Sequence, residues 1–357
     1  MNTYSVIAEL PVVVESYELE GLEQAVSSDF VRRTTVVHLR GAGEEGLGED
    51  VIYDAEDQLR FQAAGVVLDL AGEHTLDSLS ARFDDLPELR RWGFESAALD
   101  LTLRQAGTTL HGALGREPQD VTFVVSMSLP DGKAGRLLAL PGRRFKLDPE
   151  ASWNEALVRE LAELGAVDVV DFKEAYDWRA HERTPPASLY RLVVDALPEA
   201  LIEDPAVTDP EKAAILEPHR DRVSWDAPIH SLADVDALPF APRVLNSKPS
   251  RFGSCRGLFD FYDVCAERGI RLYGGGQFEL GPGRGQIQYL ASLFHPHAPN
   301  DVAPSGYNRV PVPAGLPTSP LPAEPAPAGF RWRAPRAQRA PVARQQTAAT
   351  GFRWLQQ

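Results

Sequence analysis

The hydrophobic and polar positions follow two different periods along most of the chain. From about residue 119 to residue 305, short β-branched runs are each followed by a segment with apolar residues at helical spacing. This alternation is typical of parallel strands joined by crossover helices, and eight strands that close on themselves predict an α/β fold, a TIM-type (β/α)7β barrel. The predicted strands are Val121–Leu129, Arg143–Asp148, Val167–Lys173, Leu201–Pro205, Arg222–Pro228, Arg243–Pro249, Ile270–Gln277 and a weak last one near Asp301.

Residues 1–118 show another pattern. Ser5–Val14 and Thr34–Leu39 have strand composition, and Glu95–Gln105 has apolar residues at helical spacing. The polar stretch Glu15–Arg33 between the two strands indicates a loop. We therefore expect a small α+β capping domain before the barrel.

Proline dominates after the predicted barrel of residues 119–305, so residues 306–328 are expected to run extended over the surface. Residues 329–357 contain six arginines and no acidic residue, and we expect a disordered tail there. Gly-Phe-Arg-Trp occurs twice, at 329–332 and 351–354. The tail is either unstructured, with its first copy docked on the body, or a basic interaction arm.

Composition narrows the possible partners. With 43% hydrophobic and 24% charged residues, most of the chain has the balance of a globular protein. The net charge of −15 argues against nucleic acid as a partner, and no apolar run is long enough to span a membrane.

Cys255 and Cys265 fall on one predicted helix, roughly 15 Å apart, and so cannot pair with each other. Unpaired thiols and a start without a secretion leader predict a cytoplasmic protein.

Charged residues stand at the carboxyl ends of five successive predicted strands. They are, in order, Lys146, Asp171, Glu203, Asp226 and Lys248. Each lies about one strand-plus-helix unit after the previous one, and in barrels this rim holds the active site. Any one of them alone could be a solvated loop charge, but five in this order predict side chains that converge at one mouth.

Three carboxylates on adjacent strands would repel one another at neutral pH unless a cation lay among them. Oxygen ligands favour Mg²⁺, with Mn²⁺ as a possible substitute, so we predict that Asp171, Glu203 and Asp226 bind the metal. Such a cation can act as a Lewis acid on an enediolate, with Lys146 and Lys248 as acid and base. Arg144, two residues from Lys146, is expected on the same side of the strand, where its charge would lower the pKa of that lysine.

This order of residues on a capped barrel resembles the enolase superfamily. The paired lysines resemble its muconate-lactonising branch (the mandelate racemase/muconate lactonizing enzyme family), which includes o-succinylbenzoate synthases, N-succinylamino-acid racemases and dipeptide epimerases. Ile202-Glu203-Asp204-Pro205 is similar to the strand-four motif of the superfamily, and residues 275–284 are similar to the seventh-strand segment of the synthases. The resemblance covers about residues 5–305 and implies a homo-oligomer. It also implies that residues 15–33 and 41–49 are loops that close over the substrate.

Several residues stay open to two interpretations. Lys173 stands where the superfamily commonly has asparagine, and it is either a third active-site cation or a salt-bridge partner of a metal-binding carboxylate. The segment with Gly275, Gly276, Glu279 and Arg284 is either a tight turn into a helix or a backbone cradle for a substrate anion, assisted by the arginine. Glu49 is expected to be solvated.

The predicted function is Mg²⁺-dependent abstraction of the proton α to the carboxylate of a small-molecule substrate, which gives a metal-stabilised enediolate. β-Elimination would then make the protein a lyase resembling o-succinylbenzoate synthase. The alternative is a racemase or epimerase of N-acylamino acids or related carboxylates that uses the same two lysines. Two further classes remain: a Schiff-base aldolase and a catalytically silent metal-binding or interaction protein.

Overall fold

The computed structural model describes residues 2–26, 30–174, 185–309 and 311–332, together with the backbone of a strand at 343–346. The first part of the chain forms an α+β domain. Its elements are β1 (Pro11–Val14), β2 (Ser16–Ala25), β3 (Val31–Gly41), β4 (Glu44–Asp50), α1 (Ala55–Ala64), β5 (Gly72–Thr75), α2 (Leu76–Ser80), α3 (Glu88–Gln105) and α4 (Leu110–Leu114). Strands β2, β3 and β4 form an antiparallel sheet, and the strand Ala343–Gln346 pairs with the free edge of β2.

Strand β2 occupies much of the stretch Glu15–Arg33 that the sequence predicted to be a loop. That prediction is wrong for the described residues because Tyr17 and Leu19 are buried in the hydrophobic core, while Glu18 and Glu20 on the other face of the strand are more exposed. Because few residues of β2 are apolar, the alternation of buried and exposed positions along the strand is hard to recognise in the sequence.

Strand β4 occupies most of the segment 41–49, which was expected to be a loop over the substrate. Helix α3 packs directly on it. A Cβ atom at Gly46 would lie 2.2 Å from the carbonyl oxygen of Ala97, and one at Gly48 would lie 2.0 Å from that of Gly93. The glycines of this segment therefore serve the close approach of strand and helix rather than loop mobility.

The second part of the chain alternates strands and helices. Its elements are β6 (Val125–Ser128), α5 (Gly135–Leu138), β7 (Phe145–Asp148), α6 (Glu155–Leu164), β8 (Val167–Asp171), α7 (Ala187–Ala196), β9 (Leu201–Glu203), α8 (Pro210–Leu216), β10 (Val223–Ser224), α9 (Leu232–Asp236), β11 (Val244–Ser247), α10 (Cys255–Glu267), β12 (Arg271–Gly274) and α11 (Pro282–Phe294). Strands β6 to β10 form one parallel sheet in chain order, and β11 pairs in parallel with β12.

Single bridges close these strands into a ring. The backbone N–H of Asn246 donates to the carbonyl of Trp225 at 3.1 Å, which joins β11 to the end of β10. Gly275 bridges Asp301 after β12, and Asn300 bridges Phe123 before β6, so residues 300–301 act as the eighth strand. The predicted (β/α)7β barrel with an N-terminal α+β domain is confirmed.

The first Gly-Phe-Arg-Trp copy packs on the body, as one of the two interpretations of the tail expected, so residues 329–332 are not part of a disordered tail. Phe330 is buried, its backbone N–H donates to Asp100 Oδ1 at 2.7 Å, and Arg331 Nε donates to Asp100 Oδ2 at 2.6 Å. Arg331 pairs with the buried Asp100 carboxylate, and no sequence pattern reveals this contact. The second copy lies outside the described residues. In the part of the chain that the structure describes, no helix has both the length and the apolar character needed to cross a bilayer.

Candidate active site

A cavity of about 630 Å³ lies at the carboxyl ends of the barrel strands. Six residues from the sequence prediction line it: Lys146, Asp171, Lys173, Lys248, Gly276 and Arg284. The N-terminal domain contributes Tyr53 to its wall, and Asp301 and Tyr307 come from the end of the barrel. Sequence reasoning missed Tyr53 and Tyr307 as site residues, since neither belongs to a recognisable strand-end pattern.

Lys146 on β7 is buried among carboxylates. Its Nζ lies 2.7 Å from Glu203 Oε1, 3.1 Å from Asp171 Oδ2 and 3.7 Å from Asp301 Oδ2. Burial disfavours the ammonium form, but the carboxylates of Asp171 and Glu203 outweigh burial and raise the pKa of Lys146 well above its usual range. The neighbouring carboxylates therefore favour the protonated, cationic form of Lys146.

The prediction that Arg144 lies beside Lys146 and lowers its pKa is wrong. Arg144 precedes β7, and its Nε donates to Asp168 Oδ2 on β8 at 2.6 Å. Its side chain lines a second cavity at the amino ends of the strands. Alternation along a strand predicts which face a side chain takes, but Arg144 lies before the first residue of β7 and so at the amino end of the barrel, away from the cavity of Lys146.

Three buried carboxylates approach one another next to Lys146. Oxygens of Asp171, Glu203 and Asp204 all lie within 4.8 Å of one another. Burial, together with nearby Asp226 and Asp171, raises the pKa of Glu203 to about 8 and that of Asp204 to about 7. Asn246 Nδ2 and the Tyr273 hydroxyl donate to the two oxygens of Glu203 at 3.1 and 2.8 Å, which fix its orientation. These buried oxygens fit a divalent metal ion.

Asp226, predicted as the third metal ligand, lies beside this trio. Lys248 Nζ lies 2.5 Å from Asp226 Oδ2, and Arg251 Nη1 lies 2.8 Å from Oδ1. Burial alone would raise the pKa of Asp226, but Lys248 and Arg251 outweigh burial and hold it well below its usual range. Asp204 was not among the metal ligands predicted from the sequence. Its Oδ1 accepts from the Asp226 N–H at 2.8 Å, so it supports the neighbouring strand end.

Lys248 follows β11, the sixth barrel strand, whereas Lys146 lies on β7, the second. Strands two and six of an eight-stranded ring stand on opposite sides, so the two lysines enter the cavity from opposite walls. Gly275 makes room for one of them, because a Cβ atom there would lie 2.9 Å from Lys248 Cε. Gly275, which was predicted as a site residue, therefore affects the site by leaving space for the Lys248 side chain.

Lys173 fulfils both roles that its sequence position left open. Its Nζ lies 2.6 Å from Asp171 Oδ2 and 3.0 Å from Asp148 Oδ1, while its side chain also lines the cavity. The carboxylates outweigh burial and raise the pKa of Lys173 far above its usual range. Lys173 is thus a salt-bridge partner of Asp171 and a cation of the cavity wall.

The backbone cradle at the start of α11 binds a side chain of the N-terminal domain. The N–H groups of Leu280, Gly281 and Gly283 donate to the Glu49 carboxylate at 2.7 to 3.0 Å. Glu49 is only 1% exposed, so the expectation that it is solvated is wrong. A helix amino terminus attracts an anion, and β4 supplies it.

Glu279 and Arg284 shape the same segment. Arg284 Nη2 lies 3.1 Å from Glu279 Oε2, and the Gln277 N–H donates to Glu279 Oε1 at 2.6 Å. Gly276 lets this turn close, because a Cβ atom there would lie 2.5 Å from Glu279 Oε2. The tight-turn interpretation therefore describes Glu279 and Gly276, while Arg284 also reaches the cavity wall.

Arg32 joins the two domains next to the cavity, and no sequence pattern indicates this contact. It is fully buried, and its guanidinium donates to the carbonyls of Val51 and Ile52 and to those of Gln277 and Phe278. The guanidinium also lies 4.2 Å from the ring centroid of Tyr53. A single arginine in a polar stretch has no spacing pattern that would identify this contact.

We expect Glu49→Leu to lower the free energy of unfolding by about 3 kcal/mol, because it leaves buried N–H donors without an acceptor. Urea unfolding followed by circular dichroism measures the change. Glu45→Leu on the same strand is the matched control, since Glu45 is partly exposed and its ion pairs contribute about 1 kcal/mol or less. Equal losses in the two variants would contradict the role given to the Glu49 contacts.

Comparisons with known proteins place the chain in a family. Residues 5–113 match the family description "Domain of unknown function (DUF8230) N-terminal domain", and residues 117–309 match the corresponding C-terminal domain. An o-succinylbenzoate synthase of Geobacillus stearothermophilus is 27% identical over 248 residues, which are 66% of this chain and 64% of that protein. An N-succinylamino acid racemase of Amycolatopsis sp is 28% identical over 264 residues, which are 66% of this chain and 70% of that protein.

Solved structures show the same fold. A member of the enolase superfamily from Listeria innocua superposes with a TM-score of 0.63 at 19% identity, covering 82% of this chain and 86% of that one. A dipeptide epimerase from Methylococcus capsulatus, solved with a Mg ion, gives a TM-score of 0.63 at 22% identity over 81% of this chain and 89% of that one. The chain belongs to the DUF8230 family, and it has the fold of the enolase superfamily.

Proposed function

We propose that this protein abstracts the proton α to the carboxylate of a small-molecule substrate. The observation that carries the proposal is that Lys146 and Lys248 line one cavity from opposite strands of the barrel, each next to buried carboxylates. One lysine takes the α-proton as general base, and the other faces the opposite side of the substrate carbon. The closed barrel supplies two positioned proton carriers.

Asp171, Glu203 and Asp226 would hold a divalent cation, with Asp204 as a fourth carboxylate beside them. We propose Mg²⁺, for which Mn²⁺ could substitute, because the donors are all oxygens. When bound, the cation supplies Lewis-acid stabilisation of the negative charge that develops on the substrate carboxylate. The chain itself contributes the proton carriers, the cavity walls and the N-terminal domain that covers the cavity.

After proton abstraction we favour β-elimination, as in the o-succinylbenzoate synthase to which the chain is similar. Racemisation or epimerisation of N-acylamino acids or related carboxylates is the second candidate. The observation in its favour is Lys248 on the wall opposite Lys146, where it could return a proton to the other face. The cluster of buried carboxylates around both lysines argues against a Schiff-base aldolase, which needs a lysine free to attack a carbonyl.

Three broader proposals accompany this function. Residues 119–305 carry the reacting groups, and residues 1–118 cover them. Buried and unpaired Cys255 and Cys265 fit a cytoplasmic setting. We also propose a homo-oligomer, from the resemblance to the superfamily.

Product analysis tests the fate of the substrate. The protein is incubated with MgCl₂ and either N-succinylamino acids of one hand or a succinylated hydroxycyclohexadiene carboxylate, and products are followed by mass spectrometry and chiral chromatography. Loss of water from the cyclohexadiene acid supports the lyase, and inversion of the amino acid supports the racemase. A protein that binds Mg²⁺ but leaves both classes unchanged would contradict both assignments.

A further inference from the structure

We propose that Lys173 is a positioning residue that competes with the divalent cation for Asp171 and so weakens the affinity of the metal site. The inference rests on the proposed function, because it takes Asp171 as a metal ligand. It goes further by giving a role to a lysine that stands where the superfamily commonly has asparagine. Neither the sequence nor the comparisons assign that role.

Lys173 contacts both oxygens of the Asp171 carboxylate. Its Nζ lies 2.6 Å from Oδ2, and its backbone N–H donates to Oδ1 at 3.1 Å. Oδ2 also lies 3.1 Å from Lys146 Nζ, so two ammonium groups approach the same oxygen. A second carboxylate, Asp148, lies 3.0 Å from Lys173 Nζ and keeps the lysine in this position.

A cation that binds Asp171 must approach against these ammonium charges. Like charges a few ångströms apart in a partly buried site repel strongly, because the effective dielectric constant is far below that of water. Lys173 therefore lowers the affinity of the site for any divalent ion. Its side chain is 18% exposed and lines the cavity, and its backbone N–H orients Oδ1.

The backbone at Lys173 has a conformation that is unfavourable for lysine. Its φ of 55° lies in the left-handed region, which favours glycine and asparagine over lysine. A lysine in such a position costs local stability, and such strain is typical of functional sites. Replacement by asparagine keeps the turn and removes the ammonium, which makes Lys173→Asn a clean test variant.

The experiment titrates MnCl₂ alone into the full chain by isothermal titration calorimetry. We expect Lys173→Asn to bind Mn²⁺ at least about tenfold more tightly than the original protein, because one repelling charge is gone. Lys173→Arg keeps the charge and is expected to stay within about threefold of the original affinity. Arg144→Met, which removes a cation paired with Asp168 at the other end of the barrel, is the matched control and should leave the affinity unchanged.

Unchanged or weaker Mn²⁺ binding in a folded Lys173→Asn variant would overturn the inference, and near-UV circular dichroism establishes that the variant is folded. The same titration separates this failure from that of the proposed function. If the original protein binds Mn²⁺ and the variant binds no more tightly, only the role of Lys173 is wrong. If the original protein and the variant both bind no Mn²⁺, the metal site itself is wrong.

Discussion

Replacing Lys146 or Lys248 by alanine is expected to slow α-proton exchange by about 10³-fold, the contribution of a general acid or base. Each lysine enters the cavity from its own wall. Among the described residues, Lys173 is the one other lysine that lines the cavity, and its Nζ is held by Asp171 and Asp148. The measurement is deuterium incorporation from D₂O at the α-carbon of a turned-over substrate, followed by NMR with saturating MgCl₂.

The control for this pair is Arg144→Ala, which removes a cation from the strand of Lys146 but at the amino end, where it pairs with Asp168. Its exchange rate should stay within about twofold of the original, as for a surface ion pair. Thermal unfolding with MgCl₂ present establishes that each variant is folded. Full exchange in either lysine variant would remove that lysine from the mechanism.

Replacing a carboxylate of the metal site is expected to weaken Mn²⁺ binding by about 100-fold or more, since removing even a supporting contact typically costs 10- to 100-fold. Asp171→Asn, Glu203→Gln and Asp226→Asn should all show this loss in calorimetric titrations. Asp204→Asn should lose about tenfold, because we give Asp204 a supporting role through the backbone of Asp226.

Asp168→Asn provides the matched control for the metal variants, because Asp168 lies on the same strand as Asp171 but pairs with Arg144. Its Mn²⁺ affinity should equal that of the original protein. If instead Asp204→Asn abolished Mn²⁺ binding and Asp226→Asn left it intact, the third metal ligand would be Asp204 and not Asp226. That outcome would agree with the closer packing of Asp204 against Asp171 and Glu203.

The barrel could be predicted from the sequence because its signals are local and repeated. Five successive predicted strands carry a charged residue at the carboxyl end, and parallel strands bring those ends to one mouth whatever the loops do. The same reasoning brought Lys146, Asp171 and Lys248 into one cavity. It also identified Lys173 as a residue with two possible roles.

The contacts between the domains could not be predicted, because their partners are far apart in the sequence. Glu49 binds the start of α11 more than 230 residues later, and Arg32 reaches the carbonyl of Gln277. Nothing in the polar segments around either residue shows that it is buried. The prediction for Arg144 failed for another reason: alternation along a strand predicts the face of a side chain, whereas the end of the barrel at which Arg144 lies depends on where β7 begins.

The cavity between Lys146 and Lys248 is proposed to remove a proton α to a carboxylate. The most direct measurement is mass-spectrometric detection of deuterium uptake from D₂O, with Mg²⁺, across pools of N-acylamino acids, dipeptides, sugar acids and succinylated cyclohexadiene acids. We expect uptake of one deuterium at the α-carbon in at least one pool, and loss of this uptake in the Lys146→Ala variant. Mg²⁺ binding without exchange in any pool would contradict this proposal.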